Sequence, residues 1–118
     1  MGFALTLFLS LFAVAYCVTD PNDLAIINEF KNGLENSELL EWPVNGDDPC
    51  GPPAWPHIIC TEESRIQQIQ VMGLGLKGPL PQKFNQLSKL TNLGLQRNQF
   101  SGKLPSFSGL SELRYAFL

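Results

Sequence analysis

Residues 69–82 (IQVMGLGLKGPLPQ) and residues 93–106 (LGLQRNQFSGKLPS) carry one pattern at a spacing of 24 residues. Slid over one another, Ile66 falls on Leu90, Ile69 on Leu93, Val71 on Leu95 and Leu76 on Phe100. Gly78 falls on Gly102, Leu80 on Leu104 and Pro81 on Pro105. A fixed period in the twenties leaves a chain few options, because each unit buries its apolar edge only by stacking on the next. Two unrelated glycine-turn hairpins would not align at so many positions. Leu87 and Leu90 map onto Leu110 and Leu113 at a spacing of 23, so the second unit is one residue shorter. A third unit opens with Leu113, Ala116 and Leu118 at inward positions, and the given sequence stops there in mid-strand.

The second unit reads L-x-x-L-x-L-x-x-N-x-F-x-G-x-L-P. It resembles a leucine-rich repeat, and its G-x-L-P tail resembles the plant-specific subtype. The spacing has a physical basis. In L-x-L both leucines point inward from one short strand while the residue between points outward. Asn98 turns the chain out of the strand, its amide satisfying backbone groups left unpaired by the bend. Gly102 allows unusual backbone angles and Pro105 ends further pairing. In the first unit Leu74 stands where the asparagine should be, so an asparagine ladder begins only at Asn98.

The first 15 residues, MGFALTLFLSLFAVA, contain no charge and are too short an apolar run to span a bilayer. Ala13 and Ala15 fit the cleavage pattern of a secretory signal, although positive residues after Met1 are missing. A signal over residues 1–17 is expected, with the cut after Ala15 or Cys17; a retained anchor is the other reading. No second apolar segment long enough to cross a membrane follows. Secretion sets the redox compartment. With Cys17 at the signal's edge, Cys50 and Cys60 remain, and a disulfide between them would close a loop containing Gly51, Pro52, Pro53 and Pro56. A zinc site of Cys50, His57 and Cys60 is the competing reading, but it lacks a fourth ligand. His57, the only histidine, is expected beside Trp55.

Between signal and loop, DPNDLAIINEFKNGL carries a helix start: Asp20 as cap, Pro21 at the first position, Asp23 in the first turn. Leu24, Ile27, Phe30 and Leu34 recur at helical spacing and predict one buried face. Gly33 weakens the far end. SELLEW predicts a short second turn that buries Leu39, Leu40 and Trp42.

A helix, a tryptophan, DDPCGPPAWPHIIC and then at once RIQQIQVMGLGLKGPLP, with LPSFSGLSEL further on, together resemble the N-terminal region of plant leucine-rich-repeat receptor-like kinases. The wording is most similar to their transmembrane-kinase group, and the resemblance covers everything after the signal. It implies an α+β fold: the start of a leucine-rich-repeat solenoid with short parallel strands, opened by a helical, disulfide-closed cap. Cap and repeats would divide at residues 18–63 and 64–118, with two complete repeats and a truncated third. Family members place a membrane helix and a cytoplasmic kinase after the repeats.

No enzyme chemistry is legible. Asp47 and Asp48 are adjacent but read as a turn before Pro49, bonding local backbone. There is no Ser/His/Asp spacing, phosphate loop or kinase signature, and no cofactor or metal is implied. Charge is uneven: ten acids and one lysine up to Glu63, then one acid and seven basic residues. That split suggests either an acidic ligand, such as a wall polyuronide or acidic peptide, or a cap and repeats that complement each other. Lys77, Lys83, Lys89 and Lys103 fall outside the strand segments, which favours the second. The secretory signal excludes nucleic acid.

Solenoids of this kind bind on the concave face. The outward strand positions are Gln70 and Met72, then Asn92, Gly94 and Gln96, then Phe117, with Arg97 at a strand end. Two functions follow. One is the N-terminal part of a receptor ectodomain on the outer face of the plasma membrane, recognising a protein or peptide ligand and a co-receptor. The other is a short secreted repeat protein of the wall or of the hydrolase-inhibitor type. An open last strand, LRYAFL, favours the first and predicts marginal stability or self-association of these residues alone.

Overall fold

A computed structural model describes residues 18–43 and 48–118. The expected signal with its cleavage sites, Cys17 and Asp47 lie outside the described residues. Among those described, no helix is long and apolar enough to cross a membrane.

Helix α1 spans Pro21–Gly33. It starts where the sequence says, because the Asp20 carboxylate accepts from the backbone N–H of Asn22 and of Asp23, and Pro21 needs no partner there. It ends at Gly33. Its buried face is Asp23, Ile26, Ile27 and Phe30, with Leu24 only half-buried. Ile26 thus joins the expected stripe, while Asp23 is an acid placed inside the core. A 3-10 turn at Ser37–Leu40 follows. Leu40 and Trp42 are buried there, but Leu39 is 42% exposed, a correction to the expected trio. A tight 3-10 turn directs neighbouring side chains apart, so Leu39 and Leu40 cannot both face inward.

The strands are short: β1 Ile58–Cys60, β2 Ile66–Gln70, β3 Lys77–Pro79, β4 Asn92–Gly94, β5 Gln99–Ser101 and β6 Tyr115–Phe117. They form a four-stranded sheet in the order β1-β2-β4-β6 and a second sheet of β3 and β5. β2, β4 and β6 are parallel, pairing Ile69 with Leu93 and Leu93 with Ala116. These are the 24- and 23-residue spacings of the sequence. β1 runs antiparallel to β2 and closes the near edge. The second sheet departs from the repeat, since Lys77 pairs with Gln99 and not with Ser101. Lys77 accordingly begins a strand, contrary to its expected place outside the strands. His57 reaches the sheet through its backbone carbonyl, which accepts from Gln70 N–H.

One core runs through cap and repeats. Ile69, Val71, Leu76, Leu93 and Leu95 are buried, as the inward positions require. Phe30 lies within 6.0 Å of the ring centres of Trp42, Phe84 and Phe100, and Trp42 lies 5.3 Å from Trp55. The helix thereby shares its packing with both units. Gly78 allows the close approach: a Cβ there would sit 2.7 Å from the Gly33 carbonyl oxygen.

The predicted role of Asn98 holds. Its amide nitrogen donates to the carbonyls of Val71, Leu95 and Gln96, and its oxygen accepts from Leu76 N–H. In the first unit, where Leu74 replaces the asparagine, the cap supplies a substitute. Asn36 donates to the Gly75 carbonyl and accepts from Lys77 N–H. Cys50 and Cys60 are joined as a disulfide, which removes both thiolates from the alternative zinc set. Asp48 accepts from Cys50 N–H and from both the N–H and hydroxyl of Thr19, tying the loop to the start of the described chain. Its turn role therefore extends to a distant segment.

Candidate functional site

The outer face of the four-stranded sheet is built from two rows set by register. The first is Ile59, Gln68, Asn92 and Tyr115; the second contains Gln70, Gly94 and Phe117. Paired residues share a face, so each row is a line across the strands. Met72 and Gln96 lie one step further along their strands, joined by the bond from Gly73 N–H to the Gln96 carbonyl. Gln70, Met72, Asn92 and Phe117 therefore come together as the sequence pattern expects.

Two expected residues behave differently. Gly94 is buried, not open to solvent, because Gln70 and Met72 lie across it. A Cβ at Gly94 would meet Gln70 Oε1 at 2.6 Å and the Met72 methyl at 2.9 Å. Gln96 is half-buried, and its Oε1 has no hydrogen-bond partner among the described residues. Arg97 is exposed at the rim with a positive φ of 63°, where the chain leaves the strand. Three residues of this face escape the sequence pattern: Ile59, Gln68 and Tyr115. Tyr115 could have been found by stepping back two positions from Phe117. Ile59 had no such signal, because its strand pairs in the opposite direction.

Tyr115 and Phe117 are each 55% exposed, and their rings lie nearly parallel (7°) with centres 6.3 Å apart. Beside the first row is a shallow depression of about 510 Å³, bordered by Gln67, Gln68, Thr91, Asn92, Glu112 and Arg114.

Charge is concentrated elsewhere. Asp23, wholly buried, receives two hydrogen bonds from the Arg65 guanidinium at 3.0 and 3.2 Å and one from Ile66 N–H at 2.9 Å. That partnership with Asp23 holds the Arg65 guanidinium above its ordinary range, with Asp20 adding a smaller attraction. Arg65 also donates to the Ser88 hydroxyl, linking helix α1, the start of β2 and the segment that leads into β4. Such a buried, fully bonded acid fastens helix α1 to the start of β2. Among the described residues, no group of three metal-ligating side chains occurs.

Comparison with known proteins agrees with this architecture. Residues 20–61 match the family described as "Leucine rich repeat N-terminal domain". Over 106 residues the chain is 30% identical to Protein STRUBBELIG-RECEPTOR FAMILY 1 of Arabidopsis thaliana, covering 90% of this chain and 13% of that protein. Over 97 residues it is 32% identical to Receptor-like kinase TMK2 of the same plant, covering 81% of this chain and 10% of that one. The chain is thus similar in sequence to plant receptor proteins of the leucine-rich-repeat kinase type. It spans about an eighth or less of the length of those two relatives. The crystal structure of the leucine-rich-repeat ectodomain of the Arabidopsis receptor kinase SOBIR1 has the same fold, with a TM-score of 0.64 at 20% identity. That superposition covers 87% of this chain and 55% of the other. The similarity falls on the leucine-rich-repeat portion of that receptor.

Proposed function

We propose that this chain is the N-terminal part of a receptor ectodomain, a scaffold that recognises a ligand or co-receptor at the cell surface upstream of a kinase. One observation carries the reading: cap and repeats share a single core, yet the outer face of their sheet is left uncovered. A rigid sheet with an open face is a platform for another molecule, and the concave surface of a solenoid is where such proteins bind. Gln70, Met72, Asn92, Gln96 and Phe117 are its contact residues, with Gly94 as the floor beneath Gln70 and Met72 and Arg97 at the rim. Residues 1–17 are proposed as the secretory signal, 18–63 as the cap, and 64–118 as the repeats. Placement in the transmembrane-kinase group is a finer proposal, supported by the wording of residues 47–60 and the likeness to TMK2. The receptor relatives favour this reading over that of a short secreted wall or hydrolase-inhibitor protein. An acidic wall polymer is the less supported ligand, because Lys77, Lys83, Lys89 and Lys103 all lie off the two rows.

The test is capture of plant receptor-kinase ectodomains by the secreted, oxidised chain on a biosensor surface. Binding should fall about tenfold or more with Gln70→Glu or Phe117→Ala, as for central contacts of an interface. Unchanged capture by both variants would place recognition elsewhere.

A further inference from the structure

The chemistry of the concave face narrows what it holds. Across both rows the side chains are amide, aliphatic or aromatic, and none is charged. Arg97 and Arg114 stand at the rims, and Glu112 is engaged with Lys89 at 3.3 Å. A polyuronide would bring a carboxylate with every sugar, whereas the two rows carry no cation and the depression is bordered by a single arginine, Arg114. Strand addition by a peptide is also poorly served here. The backbone groups of β2 and β4 are consumed by pairing on both sides, so over these two central strands side chains alone face a ligand, and only the edge of β6 is left to pair.

Those side chains have capacity to spare. Among the described residues the Asn92 amide nitrogen, the Gln68 amide nitrogen and the Arg114 guanidinium donate to no partner, and Gln96 Oε1 accepts from none. Amides both donate and accept, which matches hydroxyl groups that do the same. The exposed ring of Tyr115 borders the depression of about 510 Å³, whose lining is mostly polar. An aromatic face is electron-rich and attracts the polarised C–H groups of a sugar ring. A few placed polar groups beside an aromatic wall suffice to orient a small ligand.

We propose that this face takes a neutral oligosaccharide of the hexose type, with one ring against Tyr115 and hydroxyls held by Asn92, Gln68 and Arg114. The proposal rests on the recognition reading above and names its ligand class. Isothermal titration of the secreted, oxidised chain would use three probes: cellohexaose, an oligogalacturonate of equal length, and a captured receptor-kinase ectodomain. Cellohexaose should bind, and Tyr115→Ala and Asn92→Ala should each weaken it by about tenfold, the loss of a central contact. Both residues are at least partly exposed, so circular dichroism of each variant should match the parent. Stronger binding of oligogalacturonate, or cellohexaose binding indifferent to both substitutions, overturns the proposal. An ectodomain held through Gln70 and Phe117 with no sugar bound overturns it too, while leaving the recognition reading intact. Indifference of every probe to all four residues removes both.

Discussion

Leu80 and Leu104 occupy the same place in successive units, yet Leu80 is 8% exposed and Leu104 56%. The near end of the molecule and its far end differ in the same way. At the near end Phe30 is fully buried among three rings and Asp23 is fully bonded. At the far end Tyr115, Phe117 and Leu118 are all more than half exposed, and Ala116 at an inward position is exposed as well. Identical pattern positions therefore differ in energy according to their neighbours, as expected for stability summed over stacked units. The lesson is that a leucine in such a repeat is a core residue only when another unit stands beside it.

That contrast can be broken most forcefully at the aromatic centre. Phe30→Ala should lower stability by about 3–5 kcal/mol, because its cavity would open onto cap and both units at once. Urea denaturation followed by tryptophan fluorescence would measure it, and a loss below about 1 kcal/mol would show the two halves to be independent. Asp23→Ala should come next, at about 3 kcal/mol, since it strands a largely covered guanidinium and the Ile66 N–H. Asp23→Asn should recover part of that loss by keeping an acceptor. Replacing both Cys50 and Cys60 by serine should remove about 2–3 kcal/mol, less where the loop prolines already restrict the unfolded chain. Non-reduced peptide mass spectrometry should first find these two cysteines linked. Smallest of all, Leu104→Ala should change stability by under about 1 kcal/mol, against about 2–4 kcal/mol for Leu80→Ala. Equal losses from that pair would dissolve the comparison. Appending a further repeat after Leu118 should sharpen it, raising the cost of Leu104→Ala towards that of Leu80→Ala.

What the sequence reveals here depends on range. The strand register of β2, β4 and β6 is legible because Ile69, Leu93 and Ala116 recur at the spacings the sheet uses. The helix start is legible because Asp20, Pro21 and the bonds they govern lie within four residues. The Asp23–Arg65 pair is not. Its partners are 42 residues apart, and an acid in a first turn ordinarily faces water. Asn36 is hidden for the same reason: it completes the first unit from the cap, far from the Leu74 that leaves the vacancy. The concave face is legible in part. Gln70, Met72, Asn92 and Phe117 follow from alternation, whereas Ile59 needs the reversed strand and the covering of Gly94 needs the actual lie of Gln70 and Met72. Leu39 fails differently, since pattern position alone does not say which apolar residue finds a neighbour.

The reversed direction of β1 has a wider meaning. A sheet of parallel strands presents the same edge after every unit, so any unit is a fit for any other and nothing marks a beginning. Turning one strand around makes that edge unlike all the rest, and the linked cysteines pin it there. A further parallel unit therefore finds its matching edge only on the opposite side, at β6. β1 serves as an origin, from which the register of β2, β4 and β6 is counted.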